Sequence, residues 1–227
     1  SYNQGKMQQV FLETQELVKQ CPKSVVLWNL MGASAAQSGQ LDKAVSAFQR
    51  VISIKPDYAE AYNNIGNAFK ELGKSEDAID AYMKALSIKP DYAEAHYNMG
   101  IALKDQERLK EAIDSYKNAI SLKPDYAEAY NNMGVAFKEQ RKLKEAVKAF
   151  KKALSIKSNS SEAYYNMGNA FKELGKFEET IDAFKTFIEE NRENPTLVDE
   201  KLMNILTTFL GEYNNIVKIS NDSQSDE

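Results

Sequence analysis

Asparagine recurs at a fixed interval of 34 residues in the middle of the chain, at Asn64, Asn98, Asn132 and Asn166. A carboxamide carries both a hydrogen-bond donor and an acceptor, so a row of such groups can bind the backbone of another chain whatever its side chains are. Asparagine is also a mediocre helix former, so its recurrence within helices needs a physical reason. Besides ligand binding, two alternatives stay open: the amides bond between neighbouring helices, or they were copied in recent duplications without selection.

Residue types that perform acid–base, nucleophilic or metal chemistry are sparse. His96 is the single histidine and Cys21 is the single cysteine. Neither a nucleophile–base pair nor a metal-ligand set can therefore be assembled, and a glycine-rich phosphate loop is also missing. We predict no catalytic residues, no metal site and no cofactor, so this region is predicted not to be an enzyme. His96 is expected to be a packing residue.

These residues belong to an internal repeat. The string Lys-Pro-Asp-Tyr-Ala-Glu-Ala occurs at 55–61, 89–95 and 123–129. The chain aligns in five rows of 34 residues, at 25–58, 59–92, 93–126, 127–160 and 161–194, and we call the equivalent positions of the rows columns 1–34. Column 8 holds Gly32, Gly66, Gly100, Gly134 and Gly168, and column 24 holds Phe48, Tyr82, Tyr116, Phe150 and Phe184. A period of this length indicates a repeat architecture.

Each row predicts two helices joined by a turn. Columns 4, 7, 8 and 11 form one helical stripe, and columns 20, 24 and 27 form a second. Small residues in columns 8 and 20 are expected to let the two backbones approach, while large residues in columns 4, 11 and 24 fill the space between helix pairs. Asp57, Asp91 and Asp125 are expected to be N-caps, each with a glutamate three residues later in a capping box. Neither helix buries its stripe alone, so the pairs must stack.

The columns resemble the pattern of the tetratricopeptide repeat family over residues 25–192, with Trp or Tyr in column 4, Gly in 8, Ala in 20, an aromatic residue in 24 and Pro in 32. The resemblance implies an all-α fold, a right-handed superhelical solenoid of antiparallel helix pairs whose first helices line a concave groove. The repeated string is similar to those of bacterial multi-repeat proteins. The asparagine row resembles the ladder in the repeats of the O-linked N-acetylglucosamine transferase, which holds extended protein segments.

The resemblance places the inward side of the first helices at columns 2, 5, 6, 9, 12 and 13. Asparagines there are predicted to bind a peptide backbone, and tyrosines in column 5 to supply flat apolar contacts. The predicted peptide-binding residues are Asn63, Asn64, Asn67, Tyr97, Asn98, Asn131, Asn132, Tyr165, Asn166 and Asn169. Column 2 holds glutamate from the second row onward and column 5 holds no basic residue, so the two-carboxylate clamp of chaperone-adaptor repeats is missing.

Lysines cluster in the second helix of the fourth row, at Lys144, Lys148, Lys151 and Lys152. Their spacing places them on one helix face. This face is either a solvated outer surface or a surface for an anionic partner or a membrane.

The charge and the apolar content of the chain limit which partners and which location are expected. The net charge is −4, but residues 189–227 hold nine acidic and three basic residues, so the repeats are near neutral. A near-neutral body argues against general electrostatic binding of nucleic acid. No run of about 18 apolar residues is present, so we predict no membrane span. A lone cysteine suits a reducing compartment, and a cytoplasmic location is expected.

The two ends depart from the full repeat. Residues 1–24 continue the register as the second helix of an incomplete repeat, so we expect the natural protein to extend further towards the N-terminus. Residues 195–217 predict a helix with a broad apolar face that caps the last repeat. A self-association surface and the start of a further domain are the alternatives there. Residues 218–227 are polar and acidic, which predicts disorder.

The favoured function is a protein-interaction scaffold that binds an extended peptide or a partner protein in the groove. One alternative is the substrate-recruiting N-terminal region of a larger glycosyl-, sulfo- or methyltransferase, because similar bacterial repeats often precede such domains. Another alternative is a homo-oligomeric scaffold assembled through the helix at 195–217.

Overall fold

A computed structural model describes residues 2–191, and these residues form eleven α-helices and no strand. The helices are α1 (Tyr2–Gln20), α2 (Val25–Gln37), α3 (Leu41–Ile54), α4 (Ala59–Glu71), α5 (Ser75–Ile88), α6 (Ala93–Asp105), α7 (Leu109–Leu122), α8 (Ala127–Glu139), α9 (Leu143–Ile156), α10 (Ser161–Glu173) and α11 (Phe177–Glu190). The predicted all-α fold is confirmed. The predicted capping helix at 195–217 and the predicted tail at 218–227 lie outside the described residues.

The described residues form two compact units, which divide after Pro124. In the first unit α2 pairs with α3, α4 with α5 and α6 with α7, while α1 packs on α2. In the second unit α8 pairs with α9 and α10 pairs with α11. Within each unit the pairs also contact one another, as α4 contacts α3 and α10 contacts α9. Each unit is therefore a stack of helix pairs.

Inside each pair the glycine of column 8 lies against the aromatic ring of column 24. A Cβ atom built on Gly66 would lie 2.5 Å from Cε1 of Tyr82, and one built on Gly134 would lie 2.5 Å from Cε1 of Phe150. The other three rows repeat this contact. The ring of column 24 thus lies beside the glycine of its own pair and also fills space between pairs, where Phe48 clusters with Ile65 and Phe150 with Met167. The glycine makes room for a buried ring of its own helix pair, because in close packing a methyl group and the ring cannot share that space.

The prediction that aspartates cap the first helices is wrong. Helix α4 begins at Ala59 with Tyr58 as its N-cap residue, and no side chain caps its first turn. Pro56 and Asp57 instead form a turn that the backbone N–H of Tyr58 closes by donating to O of Lys55 at 3.3 Å. Proline suits the second position of such a turn, so the aspartate falls one residue too early to cap the helix.

The same outcome holds at two further helices and differs at two others. Asp91 and Asp125 also stand one residue before a tyrosine N-cap without a side-chain cap. Serine replaces that tyrosine at Ser24 and Ser160, where the hydroxyl oxygen accepts a hydrogen bond from the backbone N–H three residues later, at 3.3 Å and 3.4 Å. The first and fifth rows therefore have side-chain caps that the aspartate pattern did not predict.

Column 15, in the turn inside each helix pair, adopts a left-handed backbone in every row. Glycine occupies it in three rows, with φ of 78° at Gly39, 73° at Gly73 and 69° at Gly175. Glu107 and Arg141 occupy it in the third and fourth rows, with φ of 58° and 61°. A side chain at such a φ costs about 1–2 kcal/mol. These two rows therefore carry backbone strain that glycine avoids elsewhere.

Replacing Glu107 with glycine is expected to raise the free energy of unfolding by about 1 kcal/mol, because it removes the Cβ atom from a left-handed residue. Urea unfolding followed by circular dichroism measures the change. Glu107→Ala is the matched control, since it removes the same carboxylate but keeps Cβ, and it should leave stability nearly unchanged. Equal stabilisation by both substitutions would assign the effect to the carboxylate and not to the backbone.

Replacing Gly66 with alanine is expected to lower the free energy of unfolding by about 1–3 kcal/mol, because the new methyl group overlaps the Tyr82 ring. Gly5→Ala is the control. Gly5 lies inside α1, and a Cβ atom there meets nothing within 4 Å, so this change should stabilise by up to about 1 kcal/mol. Thermal unfolding compares the two, and similar losses at both positions would rule out the ring contact as the cause.

Candidate functional site

The predicted binding residues lie on the first helix of each pair, α4 and α6 in the first unit and α8 and α10 in the second. One side of these helices is buried, as Ala61 in column 3 and Ala68 in column 10 show. Columns 2, 6, 9 and 13 lie on the other side, which we call the groove face. The column 6 amides of Asn64, Asn98, Asn132 and Asn166 lie on this face and are half-buried.

The column 5 asparagines Asn63 and Asn131 are buried, with only 1% and 6% of their surfaces exposed. Oδ1 of Asn63 accepts a hydrogen bond from Nδ2 of Asn98 at 3.2 Å, and Oδ1 of Asn131 accepts one from Nδ2 of Asn166 at 3.2 Å. Nδ2 of Asn131 also donates to Oε1 of Glu162 at 3.0 Å. Column 5 points towards the next helix pair, so these two amides bond between repeats. Because both amides are buried in the stack, they are not available for the predicted direct contact with a ligand.

Asn98 and Asn166 are held in one orientation and still present polar groups. Each donates one N–H to the buried asparagine of the preceding pair. Among the described residues, the amide oxygen and the second N–H of these two side chains form no other hydrogen bond. One hydrogen bond restricts the rotation of a carboxamide, so each of these amides offers its remaining donor and acceptor in a restricted orientation.

Tyrosine takes column 5 in the third and fifth rows. The ring centroid of Tyr97 lies 6.1 Å from that of Tyr116. Tyr165 lies 6.0 Å from Phe184 and 5.6 Å from Phe187, and 38% of its surface is exposed. Each ring therefore packs against the column 24 ring of its own helix pair. The exposed part of Tyr165 supplies apolar surface next to the amide of the following residue.

The column 9 asparagines Asn67 and Asn169 are half-buried, and each already has a bond within its unit. Oδ1 of Asn67 accepts a hydrogen bond from the Tyr82 hydroxyl at 2.7 Å. Burial, aided by nearby carboxylates, raises the pKa of the Tyr82 phenol and keeps it a neutral donor. Nδ2 of Asn169 donates to O of Tyr165 in the same helix at 3.1 Å. Asn67 thus supports the buried ring, and Asn169 supports its own helix.

Acidic residues of column 2 lie at the edge of the groove face, where lysines compensate them. Oε1 of Glu60 lies 3.6 Å from Nζ of Lys89, and Oε1 of Glu128 lies 3.5 Å from Nζ of Lys157. All four side chains are well exposed, so each pair contributes about 0–1 kcal/mol. The groove face therefore offers amides and rings without a concentrated positive charge.

Two features of the first helices were missed by the column pattern. Asn29 holds column 5 in the first row, and its buried Oδ1 has no hydrogen-bond partner among the described residues. In column 4, Nε1 of Trp28 donates to O of Pro22 at 3.0 Å, and Nε2 of His96 bonds O of Pro90 at 3.0 Å. His96 thus anchors the preceding turn as well as packing. A ring nitrogen six residues after a proline is the signal that would have revealed this bond.

Residues 2–191 contain neither a candidate metal site nor a helix that could span a membrane. No three His, Cys, Asp or Glu side chains of this part of the chain come together as a candidate metal site. No helix in the same range combines the length and the apolar character that crossing a bilayer requires.

The repeats match a known family. The family model described as TPR repeat matches residues 32–73, 66–106, 102–141 and 136–175, and the one described as tetratricopeptide repeat matches residues 161–194. The chain belongs to the tetratricopeptide repeat (TPR) family. The matched segments contain the column 6 amides and the glycine–ring contacts, so the candidate site lies on TPR helices.

Solved TPR structures share this fold. A MamA protein is 27% identical, with a TM-score of 0.68 over 76% of this chain and 94% of that chain. YrrB, described as a TPR protein with an unusual peptide-binding site, is 18% identical, with a TM-score of 0.65 over 80% of this chain and 93% of its own. MamA from Desulfovibrio magneticus RS-1 is 19% identical, with a TM-score of 0.70 over 75% and 96%. No curated protein sequence matches this chain.

Replacing Asn63 with alanine is expected to lower the free energy of unfolding by about 1–2 kcal/mol, because the N–H of Asn98 loses its buried acceptor. Asn64→Ala, one residue further, removes a half-buried amide and should change stability by less than about 0.5 kcal/mol. Urea unfolding measures both. The double variant Asn63→Ala/Asn98→Ala should lose less than the sum of its single changes, and additive losses would contradict a coupled pair.

Proposed function

We propose that this TPR protein is an interaction scaffold that binds an extended peptide segment of a partner protein on the groove face. The observation that supports this proposal is the pair of amides at Asn98 and Asn166. Each is hydrogen-bonded to a buried asparagine, and each has a donor and an acceptor remaining. An extended backbone presents N–H and C=O groups along its length, so amides can bind it with little dependence on its side chains.

Orientation of the amides favours affinity. A side chain that is already fixed loses little freedom when a ligand binds, which lowers the entropic cost of association. Asn64 and Asn132 occupy the same column on α4 and α8 and extend the row within their units. Tyr97 and Tyr165 add apolar contact surface beside the amides.

The comparisons support a ligand of this class. YrrB, which shares the fold, is described as having a peptide-binding site. The same binding mode would serve a larger transferase that recruits an extended substrate, and the test below applies to both cases.

The test uses an array of unrelated 15-residue synthetic peptides and the full chain. Changing Asn64, Asn98, Asn132 and Asn166 together to alanine should weaken binding of every bound peptide by about 30-fold or more, since each lost hydrogen bond contributes about 0.5–1.5 kcal/mol. Circular dichroism verifies that the variant stays folded. Unchanged binding would refute the proposal.

Two controls isolate backbone recognition. Asn118→Ala/Asn159→Ala changes exposed asparagines outside the groove face and should leave binding unchanged. A bound peptide resynthesised with N-methylated backbone amides should lose affinity for the wild type, because its N–H donors are gone. If the methylated peptide binds equally well, the protein recognises side chains and the amide row has another role.

A further inference from the structure

Columns 18, 22 and 26 form a stripe along each second helix. On α9 this stripe carries a different charge from the same stripe on the other second helices. Columns 18, 22 and 26 of α9 hold Lys144, Lys148 and Lys152, all exposed. The same columns hold Asp42, Ser46 and Arg50 on α3, Glu76, Asp80 and Lys84 on α5, Lys110, Asp114 and Asn118 on α7, and Glu178, Asp182 and Thr186 on α11. Every other second helix thus carries at least one acidic residue in the stripe, and α9 carries none.

The three lysines repel one another without compensation. Among the described residues none of them forms an ion pair, whereas lysines elsewhere do, as Lys117 pairs with Asp114 at 3.0 Å and Lys176 with Glu179 at 2.8 Å. Like charges four residues apart weaken a helix. A helix that keeps three of them in a row, unpaired, is suited to an anionic partner.

An apolar cavity lies next to these lysines. It has a volume of about 660 Å³ between α8 and α9. Tyr130, Met133 and Phe137 of α8 line it with apolar surface, while Lys148 and Lys152 of α9 line it with charge. The cavity is open to solvent, and its volume is in the range of clefts that take an organic ligand or a large side chain.

We infer that α8 and α9 together form a second binding site, which takes an acidic segment of a partner protein. Carboxylates of the segment contact Lys148 and Lys152, with Lys144 extending the charged surface. An aromatic or large aliphatic side chain of the same segment occupies the cavity over Tyr130 and Phe137. Glu145, which also lines the cavity, accepts a backbone N–H of the segment.

The arrangement favours a protein segment over a membrane or a nucleic acid. Membrane association requires apolar side chains that protrude into the bilayer, but here the apolar residues line a cavity beside lysines. Nucleic acid requires a broad positive surface, but within the second unit the stripe of α11 is acidic at Glu178 and Asp182. Within the second unit this positive stripe is therefore confined to α9, which suits a short acidic segment.

This site is independent of the proposed peptide groove. The cavity uses columns 4, 7 and 11 of α8, at Tyr130, Met133 and Phe137. The groove face uses columns 2, 6, 9 and 13, on the other side of the same helix. Alanine at the four column 6 asparagines should leave binding at α9 unchanged, so failure of one proposal is distinguishable from failure of the other.

The probe is a fluorescein-labelled peptide, Gly-Asp-Glu-Phe-Glu-Asp-Gly, titrated with the full chain in low-salt buffer and followed by fluorescence anisotropy. Lys148→Glu/Lys152→Glu should weaken binding by about tenfold or more. Circular dichroism verifies that this variant stays folded, because the two introduced glutamates are themselves like charges four residues apart. Lys84→Glu/Lys110→Glu is the matched control, because it makes the same charge change in the same stripe of other helices and should have little effect.

Two altered probes separate the cavity from the charges. A probe with serine in place of phenylalanine, and a probe with Asn and Gln in place of Asp and Glu, should both bind more weakly than the original. No saturable binding of the original probe, or equal loss in the matched control, would overturn the proposal. Tighter binding of a short oligouridylate, or of phosphatidylserine vesicles, through the same lysines would also overturn it and assign the site to nucleic acid or membrane.

Discussion

The contact between the glycine of column 8 and the aromatic ring of column 24 controls how closely the two helices of each pair approach. Glycine in column 8 leaves a space that the ring of column 24 fills, and any Cβ atom would lie within 3 Å of that ring. Both members are needed, because the ring without the glycine would force the helices apart and the glycine without the ring would leave a cavity. With this distance set, the remaining columns of each helix point either to the neighbouring pair or to solvent.

The candidate site follows from how pairs stack. Column 5 points to the next pair, and there a buried asparagine needs a partner, since an unpaired buried amide is costly. The column 6 asparagine of the next pair supplies it, as at Asn63 with Asn98 and at Asn131 with Asn166. One row of amides is thus structural, and it orients a second row on the groove face. The two sequence alternatives, bonding between helices and binding a ligand, apply to different columns.

Sequence periodicity predicted the helix pairs, the repeat of 34 residues and the helix that carries each candidate residue. It was wrong where local chemistry competes, because the turn at Pro56 and Asp57 uses the residue that the capping pattern assigns to the helix. It also grouped columns 5 and 6 as one binding surface. Neighbouring residues point about 100° apart on a helix, and only the position of the next helix decides which of them is buried.

The amino-acid sequence by itself therefore determined the repeat length, the alternation of helix and turn, the family and the set of residue types available to a ligand. These properties depend on local propensity and on periodic burial, and the residue types of each row determine both. The tertiary structure decided which amides are used up in stacking, where a ring fills the space above a glycine, and that the lysines of α9 border an apolar cavity. Those properties depend on distances between residues of different helices, and a pattern of spacing along one chain does not contain those distances.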